Sequence, residues 1–422
     1  EFLKLPVPAV VTPMRDHQRY YPVRNEDGSL MPYFLTVRNG GTKALENVQH
    51  GNEKVLRARL DDAKFFFEND RKKTLEGHRD DLTRINYQEG MGDMRDKADR
   101  LQKLTEAIGK DWDFTAEEAA DADRAAFLSK SDLATGMVTE FTELQGEMGK
   151  EYALLDGEKP EVAQAIFEQY MPRFAGDILP QQEIGRALSL ADKLDNLAAT
   201  FLRGLIPTGS QDPFALRRQT IGAVNILTDG KIHWDIRRGI EAALALLPGD
   251  EETKKTVLSQ IEDFFRQRIK AIMLDEGIAY DIIDAVLAGP VDDIYALFLK
   301  ARSMAESQLK DEAELRQAVT RLANITKGKT GGKVDPSLFT EDVEKKLQDA
   351  FEAVSAKALP LFASYEYGKA LPALKELTAP INDYLDNVMV MVEDEAVKNN
   401  RISQLLATLA LFNTWGDFSK LV

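Results

Sequence analysis

The spacing of apolar side chains predicts a short β-rich region followed by helices. Between residues 7 and 38, apolar and polar positions alternate, and aromatic and β-branched residues flank a turn sequence at residues 26–29. This pattern predicts strands and an antiparallel hairpin. From Asn52 to Asp70, apolar residues recur at intervals of three and four, which predicts one amphipathic helix. Beyond about Asp93, nearly every segment has helical periodicity.

Segments rich in glycine and proline interrupt this helical pattern and suggest domain boundaries. They lie at residues 176–180, 207–210, 247–250, 289–290 and 327–333. We therefore expect a mainly α, multidomain protein. The predicted domains are a small N-terminal α/β region with an antiparallel hairpin sheet and helices, a helical domain, a helical linker and a C-terminal helical domain, at residues 1–112, 113–210, 211–310 and 311–422.

Composition and charge narrow the classes of protein that remain. The chain has 422 residues, of which 44% are hydrophobic, so it can bury several cores. Acidic residues outnumber basic ones by 70 to 54, and the net charge of -16 repels polyanions except at a local basic surface. Cysteine is absent, which excludes disulfides and thiolate metal sites. No apolar run approaches the roughly 20 residues of a membrane span, so we expect a cytoplasmic protein without a membrane partner.

The block at residues 121–200 resembles the HD phosphohydrolase helical fold, in which histidine and aspartate side chains hold a divalent metal. Asp132 and Asp192 match aspartate positions of that fold, but none of the four histidines of the chain lies in this block. We therefore expect a degenerate, HD-like scaffold with no metal and no catalytic residue. Asp192 and Asp195 are then expected on a helix surface, paired with Lys193 and its neighbours.

Clusters of basic residues provide candidate contacts for RNA. Arg19 precedes two tyrosines on the predicted hairpin, a combination of cation and aromatic rings that suits stacking on bases and contact with phosphates. Lys54 and Arg57 lie on the following helix, and residues 1–60 hold nine basic against six acidic residues. The doublet Arg217-Arg218 is a further candidate. Each cluster also has a purely structural interpretation as a solvated face.

A glycine-rich basic segment follows at residues 327–333. Its Gly328-Lys329-Thr330 sequence is typical of the end of a Walker phosphate-binding loop, but the required preceding strand and first glycine are missing. We interpret the segment as a mobile basic loop. Its three lysines could still contact phosphates, because a flexible cationic loop gains from counterion release without fixed geometry.

Several stretches of the chain resemble one known family. The sequence at residues 130–146, together with residues 191–195 and 207–218, is similar to the β subunit of bacterial-type heterotetrameric (α2β2) glycyl-tRNA synthetase. Further similar stretches lie at residues 51–60 and 386–394. The resemblance therefore extends over essentially the whole chain, although it implies that the N-terminal part of the family's β subunit is missing.

The resemblance implies a tRNA-binding subunit of an ATP-dependent glycine-tRNA ligase. In this family the α subunit carries the class II catalytic site, so ATP and Mg²⁺ are expected there and no cofactor is expected in this chain. The implied partners are the α subunit and the tRNA for glycine, and not DNA. By the same resemblance, the chain alone is expected to be inactive.

The C-terminal block is similar to the helical anticodon-binding domains of several class I synthetases, through the sequence at residues 384–406. We expect Lys398, Asn400 and Arg401 to begin the last helix, where backbone N–H groups and cations can meet an anion. Lys398 stands where the resemblance implies arginine, and a lysine supplies only a point charge. Alternatively, Arg401 pairs within the chain with an acidic residue at 393–395. Since residues 311–422 hold 13 basic and 17 acidic residues, RNA binding requires the cations to share one face.

Two other functions remain open at this point. An HD-type phosphohydrolase with an RNA-binding tail would require a bound metal despite the missing histidines. A non-enzymatic helical scaffold would show no salt-dependent binding of RNA.

Overall fold

The computed structural model describes residues 1–421 and divides the chain into two compact units. The first unit contains residues Glu1–Ile226 and Arg237–Ile261, and the second contains Leu227–Ile236 and the chain from Glu262 onward. In the described residues there are nineteen α-helices and one two-stranded sheet, which confirms the mainly α, multidomain prediction. The finer division into four domains stays a prediction.

The first nine helices lie in the first unit. The next three cross the boundary between the two units along the chain. The bounds of all these helices are α1 Val7–Thr12, α2 Leu45–Asp70, α3 Leu75–His78, α4 Met94–Asp111, α5 Ala116–Leu128, α6 Gly136–Glu140, α7 Glu147–Leu155, α8 Pro160–Glu168, α9 Glu183–Leu202, α10 Leu216–Asp229, α11 Ile236–Ala245 and α12 Glu251–Asp275. None of the helices within residues 1–421 has the length and apolar character needed to cross a membrane.

The predicted hairpin is present, but the predicted strand before it is wrong. Strand β1 (Tyr21–Arg24) pairs antiparallel with β2 (Leu30–Leu35), and Tyr21 lies opposite Leu35. Upstream, the chain forms α1 and a π-helical turn at Pro13–His17 instead of a strand. Two prolines lie at the start of α1, where a helix loses no hydrogen bond to them. Burial follows the helical order, since α1 buries Ala9 and Val10 while Val7 is exposed.

Helix α2 confirms the predicted amphipathic helix and extends it toward the N terminus. Its core face is formed by Leu56, Leu60 and Ala63, which follow one another at helical spacing. The helix ends at Asp70, whose carboxylate accepts hydrogen bonds from the backbone N–H of Gly136 (2.8 Å) and from the Tyr152 hydroxyl (2.8 Å). The C-terminal end of α2 is thereby fixed to the start of α6.

Helix α9 is the central element of the first unit. It packs against α4, α5 and α8, and sixteen of its residues are buried. Helix α4 begins at a capping box made by Asp93 and Asp96, and α5 begins at one made by Thr115 and Glu118. Because neighbouring helices surround α9, its polar residues are carried into the core together with its apolar ones.

The second unit continues with seven more helices, of which α15, α16, α18 and α19 pack together. Their bounds are α13 Tyr280–Val286, α14 Ile294–Glu306, α15 Ala313–Thr326, α16 Asp342–Ala363, α17 Leu371–Lys375, α18 Thr378–Asn387 and α19 Glu395–Asn413. The core of the unit includes the large side chains of Tyr384, Phe412 and Trp415. Helix α19 begins with Asp394 as its N-cap residue, which places Lys398, Asn400 and Arg401 in its first turns as predicted.

Candidate functional site

A buried charged cluster occupies the positions of the first unit that were predicted to be HD-like. Asp192, on α9, is contacted by two ammonium groups: Lys97 Nζ lies 2.9 Å from its Oδ1 and Lys130 Nζ lies 2.9 Å from its Oδ2. Burial by itself raises the pKa of the Asp192 carboxyl. The charges of Lys130 and Lys97 lower that pKa by more than burial raises it, so it lies below its ordinary value. Asp192 is therefore an ionised carboxylate enclosed by cations.

Asp195 lies one turn further along α9 and shares Lys97 with Asp192. Lys97 Nζ is 2.8 Å from Asp195 Oδ2, and Arg100 donates to both carboxylate oxygens at 2.6 and 3.2 Å. Burial opposes the charge of Lys97, yet the two aspartates raise its pKa above the ordinary value. Lys97 thus bridges two buried carboxylates and is charged throughout the ordinary pH range.

The surface location expected for Asp192 and Asp195 is wrong, and so is their expected pairing with Lys193. Only 8% of Asp192 and 1% of Asp195 are exposed. Lys193 donates instead to the Met171 carbonyl (2.7 Å) and the Ser189 hydroxyl (2.6 Å). The expectation treated α9 as a helix with one solvated face, whereas packing against neighbouring helices buries its polar positions as well.

The carboxylates of this cluster do not fit a metal ion. Asp132 is also buried: its Oδ2 accepts from the backbone N–H of Gly146 (2.7 Å) and its Oδ1 from the Tyr170 hydroxyl (3.1 Å). A divalent cation beside Asp192 would stand against the ammonium groups of Lys97 and Lys130. Among residues 1–421, no group of three or more His, Cys, Asp or Glu side chains is arranged to hold a metal.

The titration of Lys193 makes the stability of this core depend on pH. Burial lowers the pKa of Lys193 to about 7, whereas an unfolded chain holds a lysine proton up to about pH 10.4. Since the unfolded chain binds more protons between these values, the free energy of unfolding should rise with pH from about 7 to about 10.

We expect Lys193→Met to remove about 2 to 3 kcal/mol of that rise. Urea unfolding at pH 7 and pH 10 measures the difference, with the exposed Lys110→Met as the matched control. Equal pH dependence in Lys193→Met and the wild type would show that Lys193 is not the group responsible.

Arg401 does not lie at the surface, which corrects its expected role as an RNA contact. Its Nε donates to Glu344 Oε1 (2.9 Å), its Nη2 to Thr340 Oγ1 (2.7 Å) and its Nη1 to the Met389 carbonyl (2.8 Å). The whole residue is 4% exposed. The partner is Glu344 at the start of α16, and not one of the acidic residues at 393–395. Arg401 therefore joins α19 to α16, and its fork of donors is occupied.

Asn400 is also buried, and Lys398 is paired beside it. The Asn400 side chain makes two hydrogen bonds with the backbone of Asp335, accepting from the N–H (2.7 Å) and donating to the carbonyl (3.0 Å). Lys398 is partly exposed and forms an ion pair with Glu395 in the same turn of helix. The predicted trio therefore includes one partly exposed cation and two side chains that hold the unit together.

The remaining predicted cations lie in the first unit and face solvent to different degrees. Arg19, Lys54 and Arg57 are exposed, and the Arg57 guanidinium is 3.8 Å from Glu1 Oε1. Tyr20, which follows Arg19, donates to Asn52 of α2 (3.2 Å) and so brings the hairpin against the helix that carries Lys54.

The Arg217-Arg218 doublet begins α10. Arg218 is exposed and donates to the Arg173 carbonyl (3.0 Å), whereas Arg217 is half-buried and its backbone N–H is capped by Asp212 (2.9 Å). The exposed predicted cations therefore stay candidate contacts for RNA.

Sequence reasoning missed the three cations that neutralise the buried aspartates. Lys97 and Arg100 lie three residues apart on α4, on the same face of the helix as the buried Leu101 and Leu104. This spacing places both cations on the core face of an amphipathic helix, and the sequence alone carries that signal.

Comparison with known proteins identifies the family. A family model described as glycyl-tRNA synthetase beta subunit matches residues 1–288, and one described as DALR anticodon binding domain matches residues 315–416. A protein named "Glycine--tRNA ligase beta subunit" from Clostridioides difficile is 45% identical over 423 residues, covering 100% of this chain and 61% of the relative. Proteins of the same name from Desulforamulus reducens and Halothermothrix orenii are 42% and 43% identical, covering 100% and 96% of this chain and 61% and 59% of the relatives.

The chain thus spans about three fifths of the length of the curated relatives that it matches, at 61% of the first two. The first family model covers more than half of the chain, and the second covers α15 to α19. The chain therefore belongs to the family of glycyl-tRNA synthetase beta subunits.

Proposed function

We propose that this chain acts as the tRNA-binding subunit of a glycine-tRNA ligase. The observation that carries the proposal is the order of two matches along one chain, a glycyl-tRNA synthetase beta subunit over residues 1–288 and an anticodon-binding domain over residues 315–416. In this proposal the partners are the α subunit and the tRNA for glycine, and the complex works in the cytoplasm. ATP and Mg²⁺ bind to the α subunit, which joins glycine to the tRNA.

The buried cluster around Asp192 supports a scaffold role for the HD-like helices. A metal-dependent phosphohydrolase needs carboxylates that are free to bind the metal and activate water. Here the carboxylates of Asp192 and Asp195 already form ion pairs with Lys97, Lys130 and Arg100. The same helices can instead hold the RNA-binding surfaces at fixed positions. A phosphohydrolase is therefore not favoured as an alternative.

We expect the chain alone to bind a transcript of the tRNA for glycine but not to activate glycine. Fluorescence anisotropy should give an affinity that falls steeply between about 50 and 200 mM salt, because several phosphate contacts release counterions. The chain should also be captured by an immobilised glycyl-tRNA synthetase α subunit. Glycine-dependent exchange of pyrophosphate into ATP should require that subunit.

Two results would contradict the proposal. Pyrophosphate exchange catalysed by the chain alone would place a catalytic site in it. Failure to bind the tRNA at low salt, with and without the α subunit, would remove the RNA-binding function and favour a helical scaffold.

A further inference from the structure

The loop between α15 and Asp335 concentrates positive charge at the surface of the second unit. This basic loop, residues 327–334, holds Lys327, Lys329 and Lys333 and no acidic residue. Lys327 and Lys333 are exposed and Lys329 is half-buried. Among residues 1–421, no carboxylate lies within ion-pair distance of any of the three ammonium groups. Asp335, two residues after Lys333, interacts with it electrostatically without forming an ion pair. The loop therefore presents three lysine charges, of which only that of Lys333 is partly offset by a nearby carboxylate.

Contacts with α19 hold the basic loop in place. The backbone N–H of Gly332 donates to Ser403 Oγ (2.8 Å), and the Asn400 side chain binds the backbone of Asp335 where the loop ends. A Cβ added to Gly331 would lie 3.0 Å from Leu406 Cδ1, so the loop backbone passes close to α19 at this residue. The segment expected to be mobile is thus anchored at its C-terminal half.

Other cations of the second unit lie in mixed or neutralised surroundings. The cations that form ion pairs with carboxylates include Arg266, Lys270, Arg302, Arg321, Lys357, Lys369, Lys375, Lys398 and Arg401. Lys345 and Lys346 are exposed on α16, but Glu341, Asp342 and Asp349 lie within about one turn of them. The basic loop therefore attracts a polyanion more strongly than these other segments do.

The chemistry of the loop fits RNA better than an acidic protein. Protein interfaces derive most of their affinity from buried aromatic, aliphatic or arginine anchors. Besides its lysines, the loop offers only glycine, threonine and one half-buried valine. Contacts to phosphates need no apolar anchor, because lysines and backbone N–H groups suffice.

We propose that the basic loop is the phosphate-contacting element through which the second unit binds the tRNA backbone, and that Asn400 and Ser403 position it. This inference rests on the proposed function, since it takes tRNA as the ligand. It replaces the direct contacts expected from Asn400 and Arg401 with contacts from Lys327, Lys329 and Lys333. Asn400 is then a positioning residue that acts through the loop backbone.

The test compares two variants of the full chain that lose the same charge. The loop variant is Lys327→Gln/Lys329→Gln/Lys333→Gln, and the control is Lys345→Gln/Lys346→Gln/Lys420→Gln. Lys420 suits the control because it is exposed next to Leu421, whose carbonyl accepts from Arg316 (3.4 Å) near the N-terminal end of α15. The loop follows the opposite end of that helix, which has 14 residues.

Binding to a transcript of the tRNA for glycine is measured from 50 to 200 mM salt. Each lost phosphate contact lowers the slope of log affinity against log salt by about 0.7 to 0.9, so the loop variant should lose about 2 to 3 units. Between 50 and 200 mM salt, the loop variant and the wild type both lose affinity. The factor by which the loop variant loses it should be smaller than the wild-type factor by about 20- to 40-fold. The control should retain most of the wild-type slope.

A second comparison tests the positioning role of Asn400 without changing any charge. Asn400→Ala frees the end of the basic loop, so the affinity for the tRNA should fall several-fold while the salt slope changes by less than one unit. Asn399→Ala, at an exposed neighbouring position, is the matched control. A structural role alone would lower the melting temperature of Asn400→Ala and leave the affinity of the folded protein unchanged, which would overturn the positioning role.

Three results overturn the inference in distinguishable ways. Equal salt slopes in the loop variant and its control, with tRNA binding intact, refute the loop contact and leave the proposed function standing. Absence of tRNA binding by the wild type refutes both. A loop variant that binds tRNA normally but is no longer captured by the α subunit would make the loop a protein-docking element.

Discussion

Replacing Lys97 by methionine should destabilise the first unit by about 3 to 5 kcal/mol, because breaking a buried ion pair leaves an uncompensated charge. Lys97 is 2% exposed and bridges Asp192 and Asp195, with its ammonium group 4.7 Å from the centre of the Tyr87 ring. In the variant, the two carboxylates stay buried with one cationic partner fewer. Urea unfolding monitored by circular dichroism measures the loss.

The matched control for this variant is Lys103→Met, on the exposed face of the same helix. Exposed substitutions of this kind change the free energy of unfolding by about 0.5 kcal/mol or less. A loss in Lys97→Met no larger than that of Lys103→Met would show that the bridge does not stabilise the core.

Arg401→Ala should cost the second unit about 3 kcal/mol of stability, since it leaves the Glu344 carboxylate buried without its cation. Glu344 is 0% exposed and also accepts hydrogen bonds from the backbone N–H groups of Thr340 and Glu341 (both 2.8 Å), which keep part of its charge satisfied. The neighbouring Lys398→Ala, which breaks a partly exposed pair, should cost about 1 kcal/mol or less.

The pH dependence of this loss follows from Glu344. Burial raises the pKa of the Glu344 carboxyl. Arg401 and the two backbone N–H groups lower that pKa by more than burial raises it, so the folded-state pKa lies below the ordinary value. The stabilisation is therefore present above the unfolded pKa of about 4.3 and is lost as the pH falls through the folded value. Wild type and Arg401→Ala should differ less in stability at low pH than at pH 7. The affinity of folded Arg401→Ala for tRNA should equal that of the wild type, and a lower affinity would restore Arg401 as a contact.

Local sequence signals predicted the elements whose formation depends on nearby residues. The turn at Gly28 and the aromatic residues around it define the hairpin, and the spacing of Leu56, Leu60 and Ala63 defines the core face of α2. The same kind of signal failed at residues 7–11, where alternating apolar residues suit either a strand or a short helix. Packing and the position of the prolines select the helix there.

The site residues were harder to predict because their partners lie far away in sequence. Lys97 and Asp195 are separated by 98 residues, and Arg401 and Glu344 by 57. Periodicity reports which face of a helix is apolar, but it does not report whether a second helix covers the polar face. The basic loop was recognised from its composition, whereas its anchoring depends on Ser403, 71 residues from Gly332.

The bridge formed by Lys97 neutralises two carboxylates without any ion taken up from solution. A metal ion between two carboxylates must be captured from solution, so the fraction of molecules that hold it depends on the free metal concentration. The ammonium group of Lys97 is covalently tethered to the chain and is delivered to Asp192 and Asp195 whenever α4 packs on α9. Neutralisation of these carboxylates therefore has the same stoichiometry in every folded molecule, whatever the ionic composition of its surroundings.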